Sequence, residues 1–444
     1  MDENYNSEIK ANIIDFFNGR AEECIKLLRI ADSSDIERIY EFDNNIIPNE
    51  LESLFEQTEI LILTANKYET NILHHNIAEK LRNSGAEENK KIRKIMLKTF
   101  GSNHFFYFFE WGNYKAVHIM AETTGSNTVG GAEDMIRMAF QYRKFQPMAV
   151  ISFGICFGIN HKTQRLGNVI ISEKLYSYGV GLKLKEDKIV ISDDNNFVIH
   201  DLLRNNVREL KNQSVISENQ GEYVGNYITG EAVMSSESLK QKVVQSATVS
   251  QVMAGEMEGY GIFKECVRYG RDGKGKEKVP CIIIKAICDW GAQKNGFLNT
   301  LDDGKMDMQK TAGIFAIADE NINYVKSYLK ESGIDYEPSS AEIEEVVKNS
   351  IQAFAADRAF RTSDKLFNNK MYFFGRTLYL KAYDFISMYL QDGNSTIFRS
   401  TLVKSMDNYF EDITEEEIDN LIKQLCNNGI LRELESDNLL KICG

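Results

Sequence analysis

Apolar residues recur at three- and four-residue spacing through the first 56 positions. Ile9, Ile13, Ile14, Phe16 and Phe17 are followed, beyond Asn18-Gly19, by Cys24, Ile25, Leu27, Leu28 and Ile30. That spacing predicts short helices. Too few residues are present for a large independent core, so residues 1–56 are expected to form a small helical adaptor or a packed extension.

The pattern changes at Thr58. Glu59 to Thr64 is an apolar run of strand length, and residues 68–82 return to helical spacing. Strands are expected at Lys94–Phe100, His104–Phe109 and Tyr114–Ala121, with a turn at Trp111-Gly112-Asn113. A helix is expected at Gly131–Lys144 and an apolar strand at Met148–Phe153. Beyond it, strands at Asn168–Ser172, Tyr223–Thr229, Gln251–Ala254 and Cys281–Cys288 alternate with helices at about 196–210, 236–245, 257–269 and 306–330. Such alternation predicts an α/β domain over 57–331, with a central mixed, mostly parallel sheet flanked by helices.

The run from Glu331 to Ser340 reads as a linker, because turn-forming residues and Pro338 interrupt the periodicity. An amphipathic stretch follows at Ala341–Phe354. Helices are then expected at Ala382–Gln391, at Thr396–Phe410 and from Thr414 to Cys426, with a hairpin at 430–434 and 439–442. Three helices and a two-stranded wing predict a winged-helix-like domain within 340–444.

Composition narrows the class. With 444 residues, 43% hydrophobic and 26% charged, the chain suits a globular protein of two or three domains. No apolar run approaches the roughly 18–20 residues of a membrane span, and the start Met1-Asp2-Glu3-Asn4 has no signal-peptide character. A cytoplasmic protein is expected. Seven cysteines without a CxxC pair read as reduced, mostly buried thiols. The histidines show no metal-binding spacing, and His74-His75 reads as a surface or packing pair on a helix. Neither a metal nor a cofactor is expected.

The net charge of −13 is uneven. Residues 1–56 carry 14 acids against 5 bases, and 338–444 carry 17 against 12. The middle is close to neutral. A nucleic-acid groove would need a basic face, and the expected wing turn, Glu435-Ser436-Asp437-Asn438, is acidic. Protein contact is therefore the favoured role for the C-terminal domain, with nucleic acid unlikely.

Four separated motifs carry candidate chemistry. Leu63-Thr64-Ala65-Asn66-Lys67-Tyr68-Glu69 runs from a strand into a helix start. Ser152-Phe153-Gly154-Ile155-Cys156-Phe157-Gly158 ends a strand in a glycine-spaced turn, where backbone can approach a ligand. Ile228 to Ser236 leaves a strand for a loop containing Val233 and Met234. Gly255-Glu256-Met257-Glu258-Gly259 precedes a helix, and Asp289 ends the apolar strand that follows. Taken singly, each is also an ordinary helix start, strand end or cap.

Together and in this order, they resemble the nucleoside phosphorylase superfamily over residues of about 58–330, most closely its 5′-methylthioadenosine/S-adenosylhomocysteine nucleosidase branch. The flanks lie outside the resemblance. It implies that Glu69 positions and deprotonates the attacking water, although Lys67 and Tyr68 replace the acids usual in that turn. It implies that Ser152 and Gly154 belong to the glycine turn beside the ribose, and that Val233 and Met234 pack on the purine. In the acidic triplet, Glu256-Met257-Glu258, Met257 would lie against the ribose and Glu258 would accept its hydroxyls. Asp289 would be the general acid. Cys288 stands where the family often has a serine, a better hydrogen-bonding partner for that acid.

Breaking the C1′–N9 bond leaves positive character on the ribosyl ring and negative character on the purine. A carboxyl kept protonated in a water-poor pocket neutralises the leaving base, and a carboxylate near the sugar stabilises the cation. The resemblance thus implies hydrolysis of an adenine nucleoside or nucleotide, and homo-oligomeric assembly. The appended flanks suggest regulation or recruitment, and similar layouts occur among antiphage effectors of the superfamily that cleave adenine nucleotides, including ATP. A triphosphate would need cations. Lys67, His161, Lys162, Arg165, Arg268, Arg271, Lys274, Lys276 and Lys278 are candidates, although solvated turn positions account for the same residues. The alternatives are a methylthioadenosine/adenosylhomocysteine nucleosidase, a purine nucleoside phosphorylase, or a non-catalytic ligand sensor with a winged helix.

Overall fold

Continuous apolar runs mark strands buried on both faces, and two such runs lie at the centre of this protein. Ile60–Thr64 is buried at every position, and Cys281–Asp289 is buried over its first seven. The computed structural model describes residues 2–33, 40–43, 48–83, 91–99, 102–112, 114–123, 125, 129–142, 145, 147–178, 182–185, 188–191, 196–199, 201–230, 237–246, 252–271, 279–291, 317–368, 377–407, 415–427, 430–434 and 439–443.

The chain opens with α1 (Asp2–Asn18), α2 (Ala21–Ala31), β1 (Tyr40–Asp43) and α3 (Pro48–Glu56). Then come β2 (Ile60–Thr64), α4 (Lys67–Asn83), β3 (Ile92–Thr99), β4 (Ser102–Trp111), β5 (Tyr114–Met120), α5 (Ala132–Ala139), β6 (Ala149–Gly158) and β7 (Val169–Ser177). A small hairpin, β8 (Leu182–Lys185) with β9 (Lys188–Ile191), precedes β10 (Asn196–Val198), α6 (Asp201–Asn212), β11 (Glu222–Thr229) and α7 (Glu237–Ser246). The region continues through β12 (Val252–Glu256), α8 (Gly259–Arg271), β13 (Cys281–Asp289), α9 (Asp319–Glu331) and α10 (Ser340–Phe367).

The main sheet runs β1-β3-β4-β5-β2-β6-β12-β11-β7-β10. Strand β13 pairs with both β6 and β7, so β6, β12, β11, β7 and β13 close into a ring. The sheet is mixed. Among the described residues β2 lies parallel to β5 and β6, β13 to β6, and β11 to β7 and β12. The β3–β4–β5 meander and the β6–β12, β7–β13 and β7–β10 pairs are antiparallel. The result is an α/β fold around a mixed sheet, as the alternation of strands and helices predicts.

Several sequence expectations are corrected. The first 56 residues are not wholly helical, because β1 adds a parallel strand beside β3. Ile9, Ile14, Phe17, Cys24, Ile25 and Leu28 are buried in the same core as the central sheet. The expected boundary at 340 also fails. Helix α10 starts with a capping box between Ser339 and Glu342 and packs on α2, α4, β6 and β13. It belongs to the larger core because its apolar positions face the sheet: Ile343, Val347, Ile351 and Phe360 are buried there. Trp111 stacks on Phe367 at 4.0 Å and donates to Asp364 at 2.9 Å, fixing the far end of α10. The first residues of the expected helix 196–210 are a strand, and 306–316 of the expected long helix lie outside the described residues.

The C-terminal segment has a core of its own. It comprises α11 (Thr377–Gln391), β14 (Thr396–Phe398), α12 (Arg399–Asp407), α13 (Glu415–Asn427), β15 (Leu431–Glu433) and β16 (Leu439–Ile442). Ile386, Ile397, Leu402, Leu421, Leu425 and Leu440 pack together. Thr396–Phe398, expected as a helix start, is an antiparallel strand on β16, which completes a three-stranded sheet β14-β16-β15. No helix of the described residues is long and apolar enough to cross a membrane.

Candidate active site

The β2–α4 turn presents an acid to the inside of the protein. Asn66 caps α4 by accepting from the backbone N–H of Tyr68 (2.9 Å) and Glu69 (3.1 Å). The Glu69 side chain folds back under this turn. Its Oε2 accepts from the N–H of Ala65 (2.6 Å) and Asn66 (3.2 Å), and its Oε1 accepts from Ile155 N–H on β6 (2.9 Å). Glu69 is only 1% exposed.

Strand β6 continues through Gly154 to Gly158, so the glycine-spaced turn expected there is strand interior, and the missing side chain at Gly154 makes this approach possible. Gly154 sits at φ +143°, and a Cβ there would lie 2.2 Å from both Cδ and Oε1 of Glu69. Gly154→Ala should therefore displace the carboxylate and cost about 1–3 kcal/mol through overpacking. Thermal unfolding checks the stability loss, and an unchanged melting temperature would refute the contact.

A second acidic group comes from the β12–α8 turn. Glu256 accepts from the N–H groups of Glu258 (2.9 Å) and Gly259 (2.8 Å), which satisfies two of the orphan donors at the start of α8. Both its oxygens are engaged by protein donors. Its part is to shape the turn that presents Glu258. Met257, between them, is half-buried.

One residue joins the two turns, and sequence reasoning missed it. Lys285, in the middle of β13, is buried among apolar neighbours and donates to Glu258 (2.7 Å) and Glu256 (3.3 Å). In register it stands directly across from Gly154. The Glu258, Glu256 and Glu69 carboxylates hold its ammonium charged against a burial that would discharge it. The available signal was a lone lysine inside the run Cys281–Cys288, since lysine is almost never fully buried unless paired.

Burial shifts two of the carboxyls around this ammonium. Burial pushes Glu69 up to about 7, and the Glu258 charge adds to that while Lys285 opposes it. Burial likewise raises Glu256, with Lys285 again opposing.

Asp289 ends β13 four residues beyond Lys285 and is half-buried. Its Oδ1 accepts from Gly291 N–H at 2.7 Å, and the Cys288 thiol lies 3.7 Å from Oδ2. The following turn is tied down by buried Lys240, which donates to the Trp290 carbonyl at 2.7 Å. Asp289 stands opposite Phe157 in the β6–β13 register, and Phe157 packs with Tyr176, Tyr178 and Ile228 in a separate apolar cluster. Ser152 is buried on β6 between Leu63 and Ile283.

The structure thus brings Glu69, Gly154, Glu256 and Glu258 around Lys285, with Asp289 at the end of the same strand. Val233 and Met234 lie outside the described residues. So do Lys274, Lys276 and Lys278, and nothing is described of the Arg271 side chain. The remaining candidate cations mostly face acids of the chain itself. Lys67 pairs with Asp32 at 2.7 Å, His161 and Lys162 with Glu8 at 2.9 and 3.6 Å, and Arg268 with Glu265 at 3.5 Å. Arg165 is exposed. Among the described residues no group of three His, Cys, Asp or Glu side chains could hold a metal ion.

The α/β domain is nucleoside phosphorylase-like. The model of the phosphorylase superfamily matches residues 60–318, and the chain belongs to that superfamily. A death domain-containing ATP nucleosidase from Amphimedon queenslandica is 26% identical over 216 residues, covering 44% of this chain and 38% of that protein. The chain therefore spans well under two thirds of that relative's length. Among solved structures, a futalosine hydrolase of Helicobacter pylori superposes with a TM-score of 0.40 at 16% identity, over 62% of this chain and 98% of its own. A 5′-methylthioadenosine/S-adenosylhomocysteine nucleosidase from the same organism also gives 0.40, at 17% identity, over 62% of this chain and 99% of its own. The Neisseria meningitidis nucleosidase of that name gives 0.40 at 15% identity, over 70% of this chain and all of its own.

Proposed function

We propose that this protein hydrolyses the N-glycosidic bond of an adenine nucleoside or nucleotide and releases adenine. The observation that carries the reading is Glu69, a buried carboxylate that accepts from three backbone N–H groups beside Gly154 and lies within the fields of Lys285 and Glu258. A phosphorylase needs donors for a free phosphate near C1′, whereas a nucleosidase needs a carboxylate to direct water.

On this reading Glu258 accepts the ribose hydroxyls and stabilises the cationic ring. Met257 lies against the sugar. Asp289 protonates N7 of the leaving purine, and Glu69 takes a proton from the water that attacks C1′. Lys285 holds Glu258 in place through the 2.7 Å contact. Val233 and Met234 pack on the base. The matching relative acts on ATP by name, which favours a nucleotide substrate. In that case the acids facing Lys67, His161 and Lys162 must yield to the phosphates. We place the protein in the cytoplasm, as a homo-oligomer whose winged-helix-like C-terminal module binds a protein partner, and as a candidate antiphage effector.

The test is to incubate the protein with ATP, adenosine and methylthioadenosine, with and without inorganic phosphate, and to assay free adenine. Release without phosphate is expected. Strict phosphate dependence would make it a phosphorylase, and no adenine from any substrate would overturn the reading.

The position of Glu69 predicts opposite pH trends for activity and stability. Directing water requires the carboxylate, so kcat should fall as pH drops through about 7. Its folded pKa is raised above the usual carboxylate value. Its contribution to stability is therefore full below about 4.5 and is lost as pH rises through about 7. Denaturant unfolding of wild type and Glu69→Gln at pH 5 and pH 8 checks this. The variant should lack that part of the pH dependence, and equal pH slopes in both proteins would contradict it.

A further inference from the structure

The turn carrying Glu69 is backed by a buried chain of polar side chains that the proposed reaction leaves unused. Thr64 immediately precedes Ala65, a donor to Glu69, and Thr70 immediately follows Glu69. Their hydroxyls share a hydrogen bond of 2.6 Å, which closes the turn from 64 to 70 like a clasp. Thr64 Oγ1 is also hydrogen-bonded to His118 Nε2 on β5 at 2.8 Å. His118 Nδ1 in turn meets His74 Nε2 on α4 at 2.9 Å. All four side chains are buried.

The far end of this chain is sealed by rings. His74 packs edge-on against Tyr40 at 5.3 Å and lies 4.3 Å from Tyr107, centroid to centroid. Tyr40 belongs to β1, so the N-terminal segment supplies part of the seal. Buried polar groups persist where every member is satisfied, and this chain satisfies its members in sequence from one end to the other.

Resting on the nucleosidase reading, we propose that His118, His74 and the Thr64–Thr70 hydroxyl pair are positioning residues that hold the 64–70 turn closed and keep solvent from the back of Glu69. The geometry explains how a short turn supplies two N–H donors to a single carboxylate. Thr64 and Thr70 fix the ends of the turn, while His118 ties them to the neighbouring parallel strand.

The histidines act as neutral groups. Burial pushes His118 down to about 3, and burial together with the neighbouring His118 and Lys94 takes His74 well below its ordinary value. Neither changes charge over the working pH range. Each neutral imidazole has one donor and one acceptor nitrogen, which suits a chain that runs through it. The charged groups facing Glu69 are Lys285 on β13 and Glu258 from the β12–α8 turn. Any change in its titration on cutting the chain must come against that fixed background.

The experiment uses the full chain with Thr70→Val, which removes one hydroxyl at nearly constant volume, His118→Leu, and His118→Asn as the conservative variant. In folded Thr70→Val, kcat for adenine release should fall by about 10- to 100-fold, the scale of a small misplacement of a reacting group, with KM nearly unchanged. The acidic limb of the kcat profile should move towards lower pH as water reaches Glu69. His118→Asn should recover part of what His118→Leu loses. Unchanged kcat and an unchanged acidic limb in folded Thr70→Val would overturn the proposal.

Hydrogen exchange at the Ala65 and Asn66 amides provides a second readout that does not depend on turnover. It should accelerate at least about tenfold in Thr70→Val, as local opening becomes easier, while the β13 amides keep their protection. Equal exchange in both proteins would overturn the clasp even with an active enzyme. Absence of adenine release from wild type would instead defeat the nucleosidase reading and leave exchange to decide the clasp.

Discussion

Asp289→Asn should lower kcat for adenine release by about 100- to 10,000-fold, the usual worth of a positioned general acid. The fold should survive the change. Asp289 is half-buried at a strand end, and the amide oxygen of asparagine can still accept the Gly291 N–H that the carboxylate accepts now at 2.7 Å. Binding should be affected less than turnover. A riboside whose leaving group departs without a proton, such as a nitrophenolate, separates the acid from a merely structural residue. Wild type and Asp289→Asn should cleave it at similar rates, while their rates on the adenine substrate diverge. Equal losses on both substrates would show that Asp289 supports the pocket rather than the leaving base.

Lys285→Met is expected to have the largest effect on stability. Removing one partner of a buried ionic cluster leaves uncompensated charge, at a cost of about 3–5 kcal/mol. Here the orphans would be Glu258 and Glu256, now 2.7 and 3.3 Å from the ammonium, with Glu69 nearby. The loss should be greatest near pH 8 and should shrink towards pH 5, where Glu69 and Glu256, both raised by burial, take up protons more readily. Adenine release should be lost with the order of the cluster. Lys285→Arg keeps the charge but needs more room, so it should retain more stability than the methionine variant. A methionine variant as stable as wild type at pH 8 would mean that the cluster is not ionic as described.

Much of the catalytic-domain fold was legible before any coordinates. Strands buried on both faces leave uninterrupted apolar runs, and β2, β6 and β13 were therefore visible as strands. Helix boundaries were less legible. Thr396–Phe398 is too short to show a period and reads into the helix that follows it, although Thr, Ile and Phe favour strands, and it pairs with β16. Strand β1 could not be found by periodicity, since four residues are too few to show a period. The N-terminal segment and α10 looked like appendages in sequence and are part of the main core in space. Their apolar stripes say that they pack, but not against what.

The candidate site divides in the same way. Glu69, Glu258 and Asp289 stood out because each sits at a strand end or helix start, and Gly154 because glycines recur at 154 and 158; both are local arrangements that sequence records. Lys285, His118 and His74 did not. Each stands in an apolar or amphipathic stretch, and its partners are distant in the chain: Glu258 lies 27 residues from Lys285, and His118 lies 44 residues from His74.

The sequence by itself determined the α/β class, the positions of the acids and the order of the four motifs, because these follow from local periodicity and residue type. Only the tertiary structure decided which acids share one buried ammonium, why residue 154 must lack a side chain, and what stands behind the turn that carries Glu69. Those are contacts between strands whose register is set by the packing of the whole sheet, and their energies depend on the burial that packing creates.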